Sequence, residues 1–399
     1  MRGAPDTMAY ERSRTVDEAL ARFGAAVAAR NPKPRPWLAY REDDDMTDTT
    51  DMVPIGETAR AIVSGLDRSR FKTWTSGQKI SEPGCYDIPL AIHHSNCCVG
   101  PSVSSSGLRL IEQKSLAHFC NQSYLNPNAE PFEPTEFMIL GSAAHHLLLG
   151  QSHFAKHFAV RPATSGECGD PDDRPWNGNN RFCKKWLADQ QKAGLEIVTD
   201  KMLEKIGGMA QRLGRVGLVR AGLMNGDVER SLIWPDPATG IWLKSRPDII
   251  PVAGEAVADL KVVSDASLSA TQWALRDYGL HVQLALARMG LEAVFGFPVS
   301  NDNCVLLFVE NVAPFAVAPR LVDPRDIYYG RCLIRRALDK LSHALVRDEW
   351  PDYEDHFEQT LRLPKLDADH LNEQIEQGAL PKPDGVPMPA DVTVGGTRR

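Results

Sequence analysis

Ile241-Trp-Leu-Lys-Ser-Arg-Pro-Asp-Ile-Ile250 and, beyond Gly254, Ala256-Val-Ala-Asp-Leu-Lys-Val-Val263 decide how the chain folds. Both runs are rich in apolar and β-branched residues and are bounded by turn formers, so each reads as a strand. Upstream, Val228-Glu-Arg-Ser-Leu-Ile-Trp234 leads through the turn-rich Pro235–Gly240 into the first run, predicting a hairpin. Side chains two apart on a strand share a face, so Asp259 and Lys261 point the same way. Asp248, eleven positions before Asp259 and on an adjacent strand, can converge with it. Two carboxylates at the end of a sheet are hard oxygen ligands suited to Mg²⁺ or Mn²⁺. Lys261 could orient a metal-activated water or neutralise charge building on a phosphate. The same Asp-x-Lys spacing also occurs on solvated surfaces and in minor ion pairs. Here the apolar neighbours imply a buried strand, where an unpaired charge is expensive.

Outward from this centre, Ser104–Ser106 reads as an N-cap ahead of a helix beginning at Gly107. Helical patterns follow at Phe137–Leu149, Thr199–Leu223, Ser267–Leu286 and Tyr328–Leu345, with Cys304–Val309 as a buried strand. Helices flanking a central mixed sheet predict an α/β (α+β) fold. Residues 1–83 read as an extension, with one Ala-rich helix at Val16–Ala29 and an acidic run at Glu42–Asp51 too polar to fold alone. Met46 is an alternative start. Residues 84–363 form the folded domain, and the Pro- and Gly-rich residues 364–399 a flexible tail.

The 399 residues are 43% hydrophobic and 24% charged, ordinary for a soluble globular protein with a substantial core. No stretch approaches the roughly 20 apolar residues of a membrane span. The polar N-terminus lacks a signal-peptide core, so a cytoplasmic location is expected. None of the eight cysteines forms a Cys-x-x-Cys pair, which points to reduced thiols rather than a zinc ribbon. A net charge of −7 argues against a protein that coats nucleic acid, yet permits a local basic groove.

Asp259-Leu-Lys-Val-Val-Ser-Asp-Ala-Ser267, followed by Tyr278-Gly-Leu-His-Val-Gln283, resembles the core of exonuclease VIII-type (RecE-like) PDDEXK nucleases of phages and prophages. Gly141-Ser-Ala-Ala-His145 is similar to that family's upstream helix motif, and Val103–Arg109 to its opening segment. The resemblance extends over roughly residues 84–310. It implies a restriction-endonuclease-like core in which Asp248 and Asp259 bind the metal, helped by the backbone carbonyl of Leu260 and by His145 and Glu229. It also implies Lys261 as the catalytic lysine, with Gln283 and Tyr278 near the lysine or the DNA. Two departures stand out. The second carboxylate is Asp259 rather than the more common Glu, and Ala287 replaces the tyrosine of the Gln-x-x-x-Tyr signature. With only Cys304 and Cys332 late in the chain, no iron–sulfur cluster is expected.

The implied activity is Mg²⁺-dependent resection of double-stranded DNA ends, 5′ to 3′, with a single-strand annealing recombinase as partner and a ring-like homo-oligomer. A structure-specific endonuclease and a non-cleaving DNA- or recombinase-binding module are the alternatives. His145 and His146 lie about 100° apart on a helix, so they cannot both face the site; His146 is expected beside the site or at the surface. Lys201, Lys205, Arg212 and Arg215 would fall within about 80° of one another on one helix, a stripe that could contact phosphates. Arg181, Lys184 and Lys185 form a second basic cluster.

Overall fold

The computed structural model describes residues 67–129, 133–151, 154–251, 257–353 and 365–380. The helix expected at Val16–Ala29 and the acidic run lie outside the described residues. Those up to Asp352 form one unit and those from Tyr353 a second.

In chain order, the strands of the first unit are β1 (Phe71–Lys72), β2 (Gly84–Tyr86), β3 (Ser102–Ser104), β4 (Phe158–Val160), β5 (Glu196–Val198), β6 (Gly226–Val228), β7 (Ser231–Pro235), β8 (Trp242–Ser245), β9 (Ile249–Pro251), β10 (Val257–Val263), β11 (Cys304–Glu310) and β12 (Val317–Leu321). Its helices are α1 (Leu90–His94), α2 (Ser105–Gln113), α3 (Leu116–Gln122), α4 (Glu136–Leu148), α5 (Arg181–Lys192), α6 (Asp200–Leu213), α7 (Gly217–Arg220), α8 (Leu268–Asp277), α9 (Leu280–Phe295) and α10 (Pro324–Arg347).

The predicted hairpin is present and does more than pair two strands. β7 pairs antiparallel with β8 in a sheet ordered β1-β2-β7-β8-β3, while β6 pairs antiparallel with β9 in a sheet ordered β12-β11-β10-β9-β6. The register is the same in both ladders, Val228 opposite Ile249 and Leu232 opposite Ser245. One long hairpin therefore bends at residues 229–231 and 246–248 and belongs to both sheets. Pro247 at the bend cannot donate a ladder hydrogen bond, and Glu229 takes a left-handed φ of 53°. β4 and β5 form a separate parallel pair.

β10 runs parallel to β11 and antiparallel to β9. Both faces of this sheet are covered, as expected of buried parallel strands. Val257, Leu306 and Phe308 pack with Leu284 and Leu291 of α9 and Ile334 and Leu338 of α10. Leu260, Leu307 and Val309 pack on the other face with Leu140 and Ala144 of α4 and Ile206 and Met209 of α6. Burying each such Leu, Ile, Val or Phe is worth about 1.5–3 kcal/mol. α9 and α10 approach closely at Gly330, where a Cβ would come within 2.6 Å of the His281 carbonyl oxygen.

Local sequence explains the helix starts. Thr135, Thr199 and Ser267 each accept a backbone N–H three residues on, capping α4, α6 and α8. Two predicted helices are corrected. The stretch Thr199–Leu223 is α6 ending at Leu213, a turn at Gly214, then the separate α7, so Arg215 lies beyond α6. Ser267–Leu286 is two helices, broken where Gly279 adopts φ 58°. In the second unit Lys365–Glu376 is helical, inside the stretch expected as tail, because its twelve residues contain neither Pro nor Gly. At the other end β1 adds an edge strand to β2, upstream of the expected boundary at 83. Among the described residues no helix is long and apolar enough to cross a membrane, and the cysteines are free thiols.

Candidate metal and phosphodiester site

The bend of the hairpin places Glu229 opposite Asp248, and the Glu229 N–H donates to the Asp248 carbonyl at 3.0 Å. Beside them, Asp248 Oδ2 accepts the Leu260 N–H at 2.6 Å, tying the bend to the middle of β10. From the opposite direction α4 brings His145, whose Nδ1 lies 3.4 Å from Asp248 Oδ1. His145, Glu229 and Asp248 each offer a ligand atom within 4.8 Å of the others. Arg246 stands two residues before Asp248, and its Nε donates to Glu229 Oε2 at 2.7 Å. The same guanidinium donates to the Ile88 carbonyl and to Ser231 Oγ, and Ser231 Oγ also meets His93 Nδ1 at 3.0 Å.

Asp259 and Lys261 share a face of β10, as their spacing predicts, and form an ion pair through Asp259 Oδ2. Asp259 Oδ1 accepts from Gln283 Nε2 at 2.7 Å, because that face of β10 packs toward α9. Asp248 and Asp259 are 6% and 3% exposed, while the side chains of His145 and Lys261 remain 21% and 23% exposed. The acids are thus buried, and the side chains of His145 and Lys261 are partly exposed.

The charges differ sharply over this short span. Burial opposes ionisation of Asp248, but His145, Lys261 and the Leu260 N–H outweigh it and hold its pKa below the ordinary value. Burial and the neighbouring Asp248 push Asp259 up to about 6, against the pull of Lys261. Burial and Asp248 also raise Glu229, against Arg246. For His145 and Lys261 burial disfavours the charged form, yet the surrounding carboxylates leave both raised. Two of three neighbouring carboxylates are therefore pushed toward protonation, a strain that a bound divalent cation relieves. Two carboxylates and an imidazole suit such a cation.

The structure brings His145, Glu229 and Asp248 together as one donor group, and Asp259, Lys261 and Gln283 as a second group beside it. Asp259 is not part of that three-residue donor cluster; Lys261 and Gln283 engage its oxygens. His146 is not at the surface; it is buried, with its ring 5.6 Å from Phe154 and 5.7 Å from Phe158. Tyr278 is exposed at the end of α8. Lys201 and Arg212 are exposed and Lys205 half-buried on α6, so the predicted four-residue stripe is three residues plus Arg215 in the following turn. Arg246 had a sequence signal, because it stands two residues before Asp248. Arg109 ends the Val103–Arg109 segment that carries part of the resemblance, but nothing in the sequence assigns it a role; it sits on α2, far from the metal motifs in sequence, yet its charge acts on Asp259 and Lys261.

Residues 104–360 match the family model of a PDDEXK-like domain of unknown function. No curated protein matches the sequence. The crystal structure of a Eubacterium rectale protein provisionally named an exonuclease is similar, with 13% identity over 70% of this chain and 94% of that one and a TM-score of 0.42. A likeness that low bears on neither activity nor substrate. The matched region covers more than half of the chain, including both carboxylates, the lysine, His145 and Gln283, and the chain belongs to this family of PDDEXK-like domains.

Proposed function

We propose that the chain is a metal-dependent exodeoxyribonuclease that resects the ends of double-stranded DNA. What supports this most is the convergence of Glu229, Asp248, Asp259, His145 and Lys261 on one bent hairpin and its neighbouring strand. His145, Glu229 and Asp248 would hold Mg²⁺ or Mn²⁺, with Asp259 and the Leu260 carbonyl joining them. When bound, the cation acidifies a water molecule and offsets charge on the phosphate under attack. Lys261 would hold that water or a phosphate oxygen with its ammonium hydrogens. Gln283 keeps Asp259 oriented, and Arg246 fixes the Glu229 carboxylate against Asp248.

The likeness to exonuclease VIII-type nucleases extends the proposal to 5′-to-3′ resection by a ring-like oligomer, supplying a 3′ strand to an annealing recombinase. Tyr278, Lys201, Lys205, Arg212 and Arg215 are candidate DNA contacts. Digestion of linear duplexes labelled at either the 5′ or the 3′ end, with Mg²⁺, Mn²⁺ or EDTA, tests this reading. The expected result is metal-dependent release of 5′ label first. Cleavage of closed circles would point to an endonuclease, and binding without cleavage under any metal would leave only a DNA-binding role.

A further inference from the structure

Arg109 is a half-buried cation with no carboxylate within ion-pair distance among the described residues. It projects from α2, with Nε donating to the Ser105 carbonyl at 3.3 Å and Nη1 to the Tyr278 carbonyl. Gln113, one helical turn further on, donates to the carbonyls of Arg276 and Asp277 at 3.3 and 3.1 Å. Together they clamp the end of α8 just before α9, the helix that carries Gln283. The clamp is tight. A Cβ on Gly279 would lie 3.0 Å from Arg109 Cδ and 3.1 Å from Gln113 Nε2.

Two carbonyls leave most of a guanidinium's five N–H donors and all of its charge without an acidic partner. Burial disfavours that charge, and the nearby Asp259 carboxylate favours it. Asp259, however, is already occupied by Lys261 and Gln283. A half-buried cation costs free energy unless an anion answers it, and Gly279, against which Arg109 packs, accepts the backbone N–H of Gln283, whose side chain holds Asp259. The planar fork of arginine matches phosphate geometry, and here two carbonyls pre-orient it. Tyr278, whose carbonyl anchors the fork, is itself exposed.

Resting on the nuclease reading, we infer that Arg109 is a substrate-binding residue that takes a non-bridging oxygen of the DNA phosphate at or next to the scissile bond. Lys261 and Arg109 then flank the phosphate, one from β10 and the other from α2.

The test uses the full chain with duplex ends in Ca²⁺, measuring affinity against salt for wild type, Arg109→Met and Arg109→Gln. Glutamine retains a donor near the position of Arg109 Nε, which meets the Ser105 carbonyl, and thermal unfolding checks that both variants are folded. Both variants should bind about 10- to 100-fold more weakly, the range of one charge-assisted hydrogen bond. The slope of log affinity against log salt should fall by about 0.9, the share of one phosphate contact. A neutral methylphosphonate at the scissile or neighbouring position should weaken wild-type binding by the same factor and leave the variants nearly unaffected. An unchanged salt slope, or a methylphosphonate penalty that persists in full in folded variants, overturns the inference even if the wild type cleaves DNA. A wild type that neither cleaves nor binds duplex ends overturns the nuclease reading itself.

Discussion

Asp248, at the hairpin bend, and Asp259, on β10, are both buried aspartates, yet the fold treats them in opposite ways. Asp248 sits at the bend with an imidazole and a backbone N–H as partners, and its pKa is lowered. Asp259 sits inside β10 beside a lysine and an amide, and its pKa is raised to about 6. The first group of residues keeps a carboxylate ionised and gathers ligand atoms around it. The second pairs its carboxylate with an ammonium and is nearly neutral within itself. A site that must hold a cation and also handle a phosphate needs both, and the hairpin bend sets them side by side.

Substitutions on the two sides should therefore fail differently. Asp248→Ala should lower cleavage on the order of 10³-fold or more, the size of several kcal/mol of lost transition-state stabilisation. Lys261→Met should lower it about 10²- to 10³-fold, and raising Mn²⁺ should restore neither the rate nor the step it limits. Recovery of Lys261→Met at high Mn²⁺ would break the distinction between the sides. His145→Ala should weaken Mn²⁺ binding by about 10- to 100-fold and regain much of its activity at saturating Mn²⁺, which metal titration of the cleavage rate measures.

A smaller effect sharpens the contrast at Asp259. Its folded pKa stands above its unfolded value, so its stabilising share is complete below about pH 4 and is lost as pH rises through about 6. In EDTA, the stability of wild type relative to Asp259→Asn should fall over that window by at most about 3 kcal/mol. Thermal unfolding from pH 4 to 7 reads it, and a difference that rises with pH would contradict the assigned environment. The smallest effect is expected at the N-terminus. Deleting residues 1–66 should leave cleavage within about twofold, whereas a cut at 83 removes β1 from its pairing with β2 and should cost stability.

The sequence made the chemistry more legible than the architecture. Charges set in the apolar run around Asp259 and Lys261 marked a buried strand with a task, and the two-residue spacing placed them on one face. The histidine pair resolved as helical geometry requires, although His146 packs on Phe154 and Phe158, which no local pattern announces. The hairpin itself was readable from Val228 to Ile250. Its membership of two sheets was not, because alternation records which residues are buried and not which strands they meet. Arg109 escaped for a related reason: apart from the Ser105 carbonyl on its own helix, it meets the Tyr278 carbonyl and the charges on β10, all more than a hundred residues away. The breaks at Gly214 and Gly279 were available in principle, since each glycine stood inside a helical pattern.

The most direct test of the account is a titration of Mn²⁺ into the purified, metal-free protein by calorimetry, beside Asp248→Ala and Lys261→Met. Wild type should bind Mn²⁺, Asp248→Ala should lose that binding, and Lys261→Met should retain it within a few-fold. Equal binding by wild type and Asp248→Ala, with both folded, would contradict the claim that the hairpin bend is a metal site.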